Sequence, residues 1–556
     1  MKRRILLAGA AAGCLSLGCL TGCAGGQDQT MTALESVETA EAGQEVLVTA
    51  SEENVEINGN GAAWSEGKLR ITEGGTYRIT GSLTGQIIVD AGEEDEVCLI
   101  LDGCTISEKA SSGIYAKQCG RLTIELEEGT ENTVSDGEGY VYETEGEDEP
   151  DAAIFSKSDL VLTGAGSLTV LGNYKNGIRG KDVVRVESGS YAVTAVDDGI
   201  KGTDRVEIAG GTLSLTVGGD GIQSNKGDVE ILAGSLVLSC GDDGICGEGN
   251  VTVSGGTVDI QKSNEGIEGL SIDITGGEIS LISEDDGMNA AGSTDTSETP
   301  FAVTEGAYIR ISGGNVEIYA SGDGIDSNGD FVMEGGTVYV EGPEHGGDGI
   351  LDFSGTGTIT GGVFTGIGNA GMLQLFDQEA SQPVLLKYYD EVQKAGTETA
   401  VVAEDGSDIV RVTPSRDFSL LICSAPQLTE GAVVRVETGE ETAEIVISGA
   451  VSQSGDAAAG DAAAGEMSQP GEPGREQEPP ERAEGERAEG GARGENPEEG
   501  EAEGRKPEGG GINGGGPQGG RPEGGSSREK PEEPSGSAGD DSNASEPASD
   551  SGEEAP

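Results

Sequence analysis

An acid, a glycine and an apolar residue recur as Asp198-Gly199-Ile200, Asp220-Gly221-Ile222, Asp243-Gly244-Ile245, Glu265-Gly266-Ile267, Asp286-Gly287-Met288, Asp323-Gly324-Ile325 and Asp348-Gly349-Ile350. Asn176-Gly177-Ile178 opens the series with an amide in place of the acid. The interval is about 22 residues, except after Met288, where "GSTDTSETP" and its flanks are inserted. In a fold whose structural repeat has that length, these carboxylates share one edge. Two carboxylates ~4.8 Å apart repel by about 1 kcal/mol in water and several times that at an effective dielectric of 20. Such a column needs compensation, and calcium supplies it as a hard cation taking about six to eight oxygens. The candidate ligands are Asp198, Asp220, Asp243, Asp286, Asp323, Asp326, Asn328, Asp348 and Asp352, with "GDGIDSNGD" at 322–330 the richest window. The competing reading makes each a corner residue hydrogen-bonded to nearby N–H groups.

The elements that would position the column are short strands. A second marker, "AGGT" at 209–212, "SGGT" at 254–257, "SGGN" at 312–315 and "EGGT" at 334–337, keeps step with the first. Between the markers lie alternating, β-branched runs such as "TLSLTV", "TVDI" and "NVEIYA", which read as strands bounded by glycine turns. Three short strands per repeat predict an all-β fold, a right-handed parallel β-helix over 46–372 with about 22 residues per coil. Its core column runs through Ile114, Ile154, Ile178 and the apolar residue of each motif to Ile350 and Met372. The glycine after each acid suits a corner where crowding or positive φ excludes a Cβ. Residues 373–450 break the period yet stay strand-rich, and are expected to cap the open end.

Both ends of the chain differ from this middle. Lys2, Arg3 and Arg4 precede an apolar run to Leu20 and then Leu20-Thr21-Gly22-Cys23. This reads as a secretory leader over 1–23 whose end resembles a bacterial lipobox, with lipid attached at Cys23 and a linker over 24–45. Export and anchorage on the bacterial membrane by that lipid are the expected localisation. From 451 to 556 the chain is rich in Gly, Glu and Pro and has no aromatic residue, a composition that predicts a disordered acidic tail. With 102 acids against 33 bases, a net charge of −69 disfavours nucleic acid and favours cations. The single histidine, His345, excludes sites needing two. Six cysteines follow the leader, with no zinc-like pairs. Disulfides (Cys98 with Cys104, Cys240 with Cys246) and buried thiols both remain open.

The phrases "LEEGTENTVSDG" at 126–137, "EPDAAIFSKSDLVLTGAGSLTVLGNYKNGI" at 149–178 and "GDGIDSNGDFVMEGGTVYVEGP" at 322–343 resemble the carbohydrate-binding β-helix domain of clostridial and related surface proteins. The resemblance implies a calcium-bound, polysaccharide-lyase-like fold that binds polysaccharides, including acidic ones such as polygalacturonate, without established catalysis. Three functions follow as expectations. The first is a non-catalytic surface protein in which calcium bridges to glycan carboxylates, with tyrosines such as Tyr174, Tyr191, Tyr308, Tyr319 and Tyr339 near the strands. The second is a calcium-dependent lyase with Arg179 or Lys201 as base, although both also suit ion pairing with neighbouring acids. The third is an adhesin that calcium merely rigidifies.

Overall fold

The computed structural model describes residues 45–456 apart from 52–53, 143, 145, 292–301, 344–346 and 378–380. The leader with Cys23, the linker up to 44, His345, the "GSTDTSETP" insertion and the tail beyond 456 lie outside the described residues. Among the described residues there is no helix, and 38 strands join one large, mostly parallel sheet. The alternating runs form strands because one face of each is apolar. In Thr212–Val217, for example, Leu213, Leu215 and Val217 are buried and the residues between them exposed. Each strand pairs with its counterpart one repeat later. Ile178 opposes Ile200, and the column continues through Ile222, Ile245, Ile267, Met288 and Ile325. Upstream it runs through Leu69, Ile87, Ile114 and Ile154. Every one of these side chains is buried, so stacking supplies a continuous core that no single repeat could bury.

Glycine serves this stack in two ways. Gly211, the second glycine of "AGGT", has φ +88°, a conformation costly for any residue with a Cβ. The glycine after each acid is held by crowding instead. A Cβ at Gly199, Gly221 or Gly244 would lie 2.6 Å from the carbonyl oxygen of the equivalent glycine in the next repeat. A side chain there would force apart the two coils that carry the acids.

The repeat predicts Ile350 over Ile325 and then Met372, and the structure corrects both. Ile325 opposes Leu351, and Asp326 opposes Asp352, while Ile350 is also buried. Met372 is 56% exposed with φ +50°. The reason is that the stack ends here. Phe418–Ser424 pairs antiparallel with Val363–Gly368 and covers its edge, so the last repeat packs on a cap rather than on another coil. Val384–Gln393 pairs with Phe418–Ser424 and with Val451–Ser454. The chain therefore stays paired a few residues beyond 450, the expected start of the tail. Thr399–Ala403, Asp408–Val412, Val433–Thr438 and Glu441–Val446 form a separate antiparallel sheet. At the N-terminal end, Val46–Ser51 pairs in parallel with Gly75–Thr84, and Asn54–Asn58 folds back on it.

Candidate functional site

The acids at the corners stand in a hydrogen-bonded ladder. Asn176 Oδ1 accepts the backbone N–H of Asp198 (3.3 Å), Asp198 Oδ1 that of Asp220 (3.0 Å), Asp220 Oδ1 that of Asp243 (3.0 Å) and Asp243 Oδ1 that of Glu265 (3.0 Å). Glu265 is longer by a methylene and accepts the Asn289 amide on both oxygens instead, at 3.0 Å each. Beyond it, Asp286 Oδ1 accepts from the N–H of Asp323 (2.7 Å), and Asp323 Oδ1 from that of Gly349. The corner bonds thus run between coils. Each Oδ1 satisfies a backbone donor, and Oδ2 is left for another partner.

What meets Oδ2 depends on the residue that follows the core apolar position. Arg179, Lys201, Gln223, Cys246, Glu268, Asn289, Asp326 and Asp352 occupy it in register on successive strands. At the start of this row, Arg179 pairs with Asp151 and Lys201 with Asp198. Gln223 then donates its amide to Asp220 Oδ2. Further on, the Cys246 thiol donates to Glu268 Oε2 (3.3 Å), and Glu268 groups with Asp243. At the far end acid meets acid: carboxylate oxygens of Asp286, Asp323 and Asp326 lie within 4.8 Å of one another.

Burial makes these charges expensive. It pushes Asp220 up to about 7, with Asp198 adding to the shift, and Glu265 up to about 8. Burial, followed by the Glu268 carboxylate, also raises Asp243. In the far group, burial raises Asp286 to about 6, Asp323 to about 8 and Asp326 to about 7. Without a cation, burial favours the protonated form of each of these groups. One further feature fits a metal there. Asn289 Oδ1 is buried and has no hydrogen-bond partner, while its amide nitrogen is committed to Glu265. Asn289 is the strand neighbour of Asp326, and a carbonyl oxygen together with three carboxylates is a donor set suited to calcium. Gln223 Oε1 is orphaned in the same way beside the Asp220, Asp242 and Asp243 group.

The remaining predicted ligands are less uniformly placed. The slip to Leu351 puts Gly349, not Asp348, above Asp323, since Gly324 N–H donates to Gly349 O (3.0 Å). Asp348 and Asp352 still act electrostatically on Asp286, each raising it. Asp352 accepts the Gln374 amide. Asn328 lies in the turn after Ile325–Ser327, fixed by backbone bonds to Ala290 and Thr304. Tyr191 and Tyr339 are buried, and Tyr174 stacks on Tyr140 at 4.4 Å. Cys98, Cys104, Cys119, Cys240, Cys246 and Cys423 are free thiols. Sequence reasoning missed Gln223, Glu268 and Asn289. Their signal was available, because each directly follows the core residue of its repeat.

Residues 65–349, just over half of the chain, match the family described as carbohydrate-binding domain-containing protein. The chain belongs to that family. A carbohydrate-binding domain-containing protein of Acetivibrio thermocellus is 34% identical over 186 residues, covering 33% of this chain and 64% of that protein. The match thus spans less than two thirds of that relative's length. Among solved structures, a polysaccharide lyase-like protein from C. thermocellum, crystallised as a gadolinium derivative, is 31% identical. It covers 42% of this chain and 92% of its own, with a TM-score of 0.37.

Proposed function

We propose that this member of the carbohydrate-binding family is a non-catalytic, calcium-dependent polysaccharide-binding protein of the bacterial surface. Its ligands are acidic glycans such as polygalacturonate, and lipid on Cys23 anchors it to the membrane. The observation that carries the reading is the far end of the column. Three carboxylates lie within 4.8 Å of one another, and Asn289, the strand neighbour of Asp326, has an orphaned buried carbonyl. Asp286, Asp323, Asp326 and Asn289 would hold the ion. Once bound, calcium supplies positive charge that a uronate carboxylate or sugar hydroxyl can share. The ladder keeps Oδ1 of Asp286 and Asp323 on backbone donors, so it orients Oδ2 and limits rearrangement. Arg179 and Lys201, the residues a lyase would use as base, are both committed to carboxylates, which favours binding over elimination chemistry.

Calorimetric titration of the full chain with polygalacturonate, in calcium and in EDTA, tests this. Affinity should be at least about tenfold higher in calcium, and Asp326→Asn should remove the difference. Equal affinity in both buffers would overturn the calcium reading.

A further inference from the structure

Midway along the row that follows the core column, from Arg179 to Asp352, stands its one thiol. Cys246 lies between Gln223 and Glu268, in register with both on adjacent strands. Its Sγ donates to Glu268 Oε2 (3.3 Å), and ligand atoms of Asp243, Cys246 and Glu268 all lie within 4.8 Å of one another. The stack explains the convergence. Asp243 is the corner acid three residues before Cys246, with Oδ1 held by the N–H of Glu265 (3.0 Å), and Glu268 comes from the next coil. Asp243 is buried and the other two are half-buried, so solvent reaches the cluster.

A thiol is poorly suited to this place as a hydrogen-bond donor. S–H donates weakly, and a serine hydroxyl would serve Glu268 better. It is equally unsuited as a nucleophile. Burial, followed by the carboxylates of Glu268, Asp220 and Asp243, raises it above the ordinary thiol range, where little thiolate forms. Those charges are all negative, so the surroundings favour a cation. A separate observation points the same way. Gln223, the strand neighbour of Cys246, donates its amide nitrogen to Asp220, while its Oε1 is buried with no hydrogen-bond partner among the described residues.

We infer that Asp243, Cys246 and Glu268 form a second metal site, for a thiophilic divalent cation of the zinc class rather than for calcium. Gln223 Oε1 is the available fourth donor. This set needs neither paired cysteines nor a histidine. Zinc takes thiolate sulfur at about 2.3 Å and carboxylate oxygen at about 2.0–2.2 Å, so two of its ligands stand no more than about 4.5 Å apart. That is close to the span already present. Calcium takes oxygen, whereas thiolate selects softer ions, so the sulfur decides the class. A bound ion would draw the proton off the thiol and compensate the middle of the column, between the Lys201 pair and the Asp286 group. The site shares no ligand with Asp286, Asp323, Asp326 and Asn289, and does not rest on the calcium reading.

Cadmium and zinc titrations of the full chain, run in excess calcium to occupy all-oxygen sites, test this. Cadmium should raise an ultraviolet thiolate-to-metal charge-transfer band that zinc then displaces. Cys246→Ser should abolish the band and weaken zinc binding by about tenfold or more. Glu268→Gln should weaken zinc binding but keep the band at saturating cadmium, and Asp326→Asn should leave both unchanged. Melting curves of the metal-free variants establish that each is folded. Absence of the band, its survival in Cys246→Ser, or zinc affinity indifferent to Cys246→Ser and Glu268→Gln would overturn the site. Calcium-dependent glycan binding is scored separately. If it alone is missing, the calcium reading fails and the thiolate site stands.

Discussion

Two stretches of one ladder solve the same electrostatic problem differently. Around Asp198 and Asp220, the acid is met by Lys201 and Gln223 from the adjoining row. At Asp286 the residue in that row is Asn289, and at Asp323 it is Asp326, followed by Asp352. The backbone device is shared, with Oδ1 of each acid on the next coil's N–H. The difference therefore lies in one side chain per repeat. Where that residue is a cation, as at Lys201, the acid gains a counter-charge; where it is an amide, as at Gln223, the acid gains a hydrogen-bond donor but no neutralising charge. Where it is another acid, the column carries a charge deficit that a proton or a divalent ion must fill. One motif can thus present either a compensated or an uncompensated corner.

The largest effect should come from removing the compensating cation. Lys201 and Asp198 side chains are 14% and 5% exposed, so Lys201→Met leaves a buried carboxylate without its counter-charge. A loss of about 3–5 kcal/mol is expected in denaturant unfolding, with Lys201→Met/Asp198→Asn recovering much of it. A single substitution that cost nothing would mean the pair does not neutralise this half of the ladder.

The acidic half should respond to pH and calcium. Asp286, Asp323 and Asp326 are raised from 3.8 to about 6, 8 and 7 in the fold, so the folded state takes up protons that the unfolded chain does not. Their contribution to stability is full below about pH 4 and is lost as pH rises through roughly 6 to 8. In EDTA, melting temperature should fall across that interval. Calcium at about 100-fold over its Kd should restore roughly 3 kcal/mol at pH 8. Asp326→Lys, which copies the Lys201 arrangement, should flatten the pH dependence and abolish the calcium response. If calcium still stabilises that variant, the ion is held elsewhere.

Much of this was legible in the sequence. The repeat of acid, glycine and apolar residue set the register that the strands adopt, because a one-residue slip would turn a buried isoleucine outward. The slip that does occur was hidden for the same reason: Ile350 and Leu351 are both apolar and both buried, so pattern alone could not choose between them. Met372 matched the pattern but falls where coils stop, a boundary set by the cap's antiparallel pairing. The division of labour between the two oxygens of each acid depends on strand stacking distance, which no residue type encodes.

The smallest expected effect separates burial from bulk charge as the cause of the contrast. With a net charge of −69, repulsion alone would make any acid near Asp286 matter. Glu284 lies two residues from Asp286, and its ion pair with Lys262 (3.3 Å) is exposed, at 68% and 54%. Solvent screens such a pair, so Glu284→Gln should change stability by no more than about 0.5 kcal/mol and leave the calcium-induced rise in melting temperature intact. A change comparable to that of Asp326→Lys would shift the cause from desolvated carboxylates in the ladder to the field of the whole acidic chain. The Lys201 and Asp326 halves would then differ in total charge rather than in local partners.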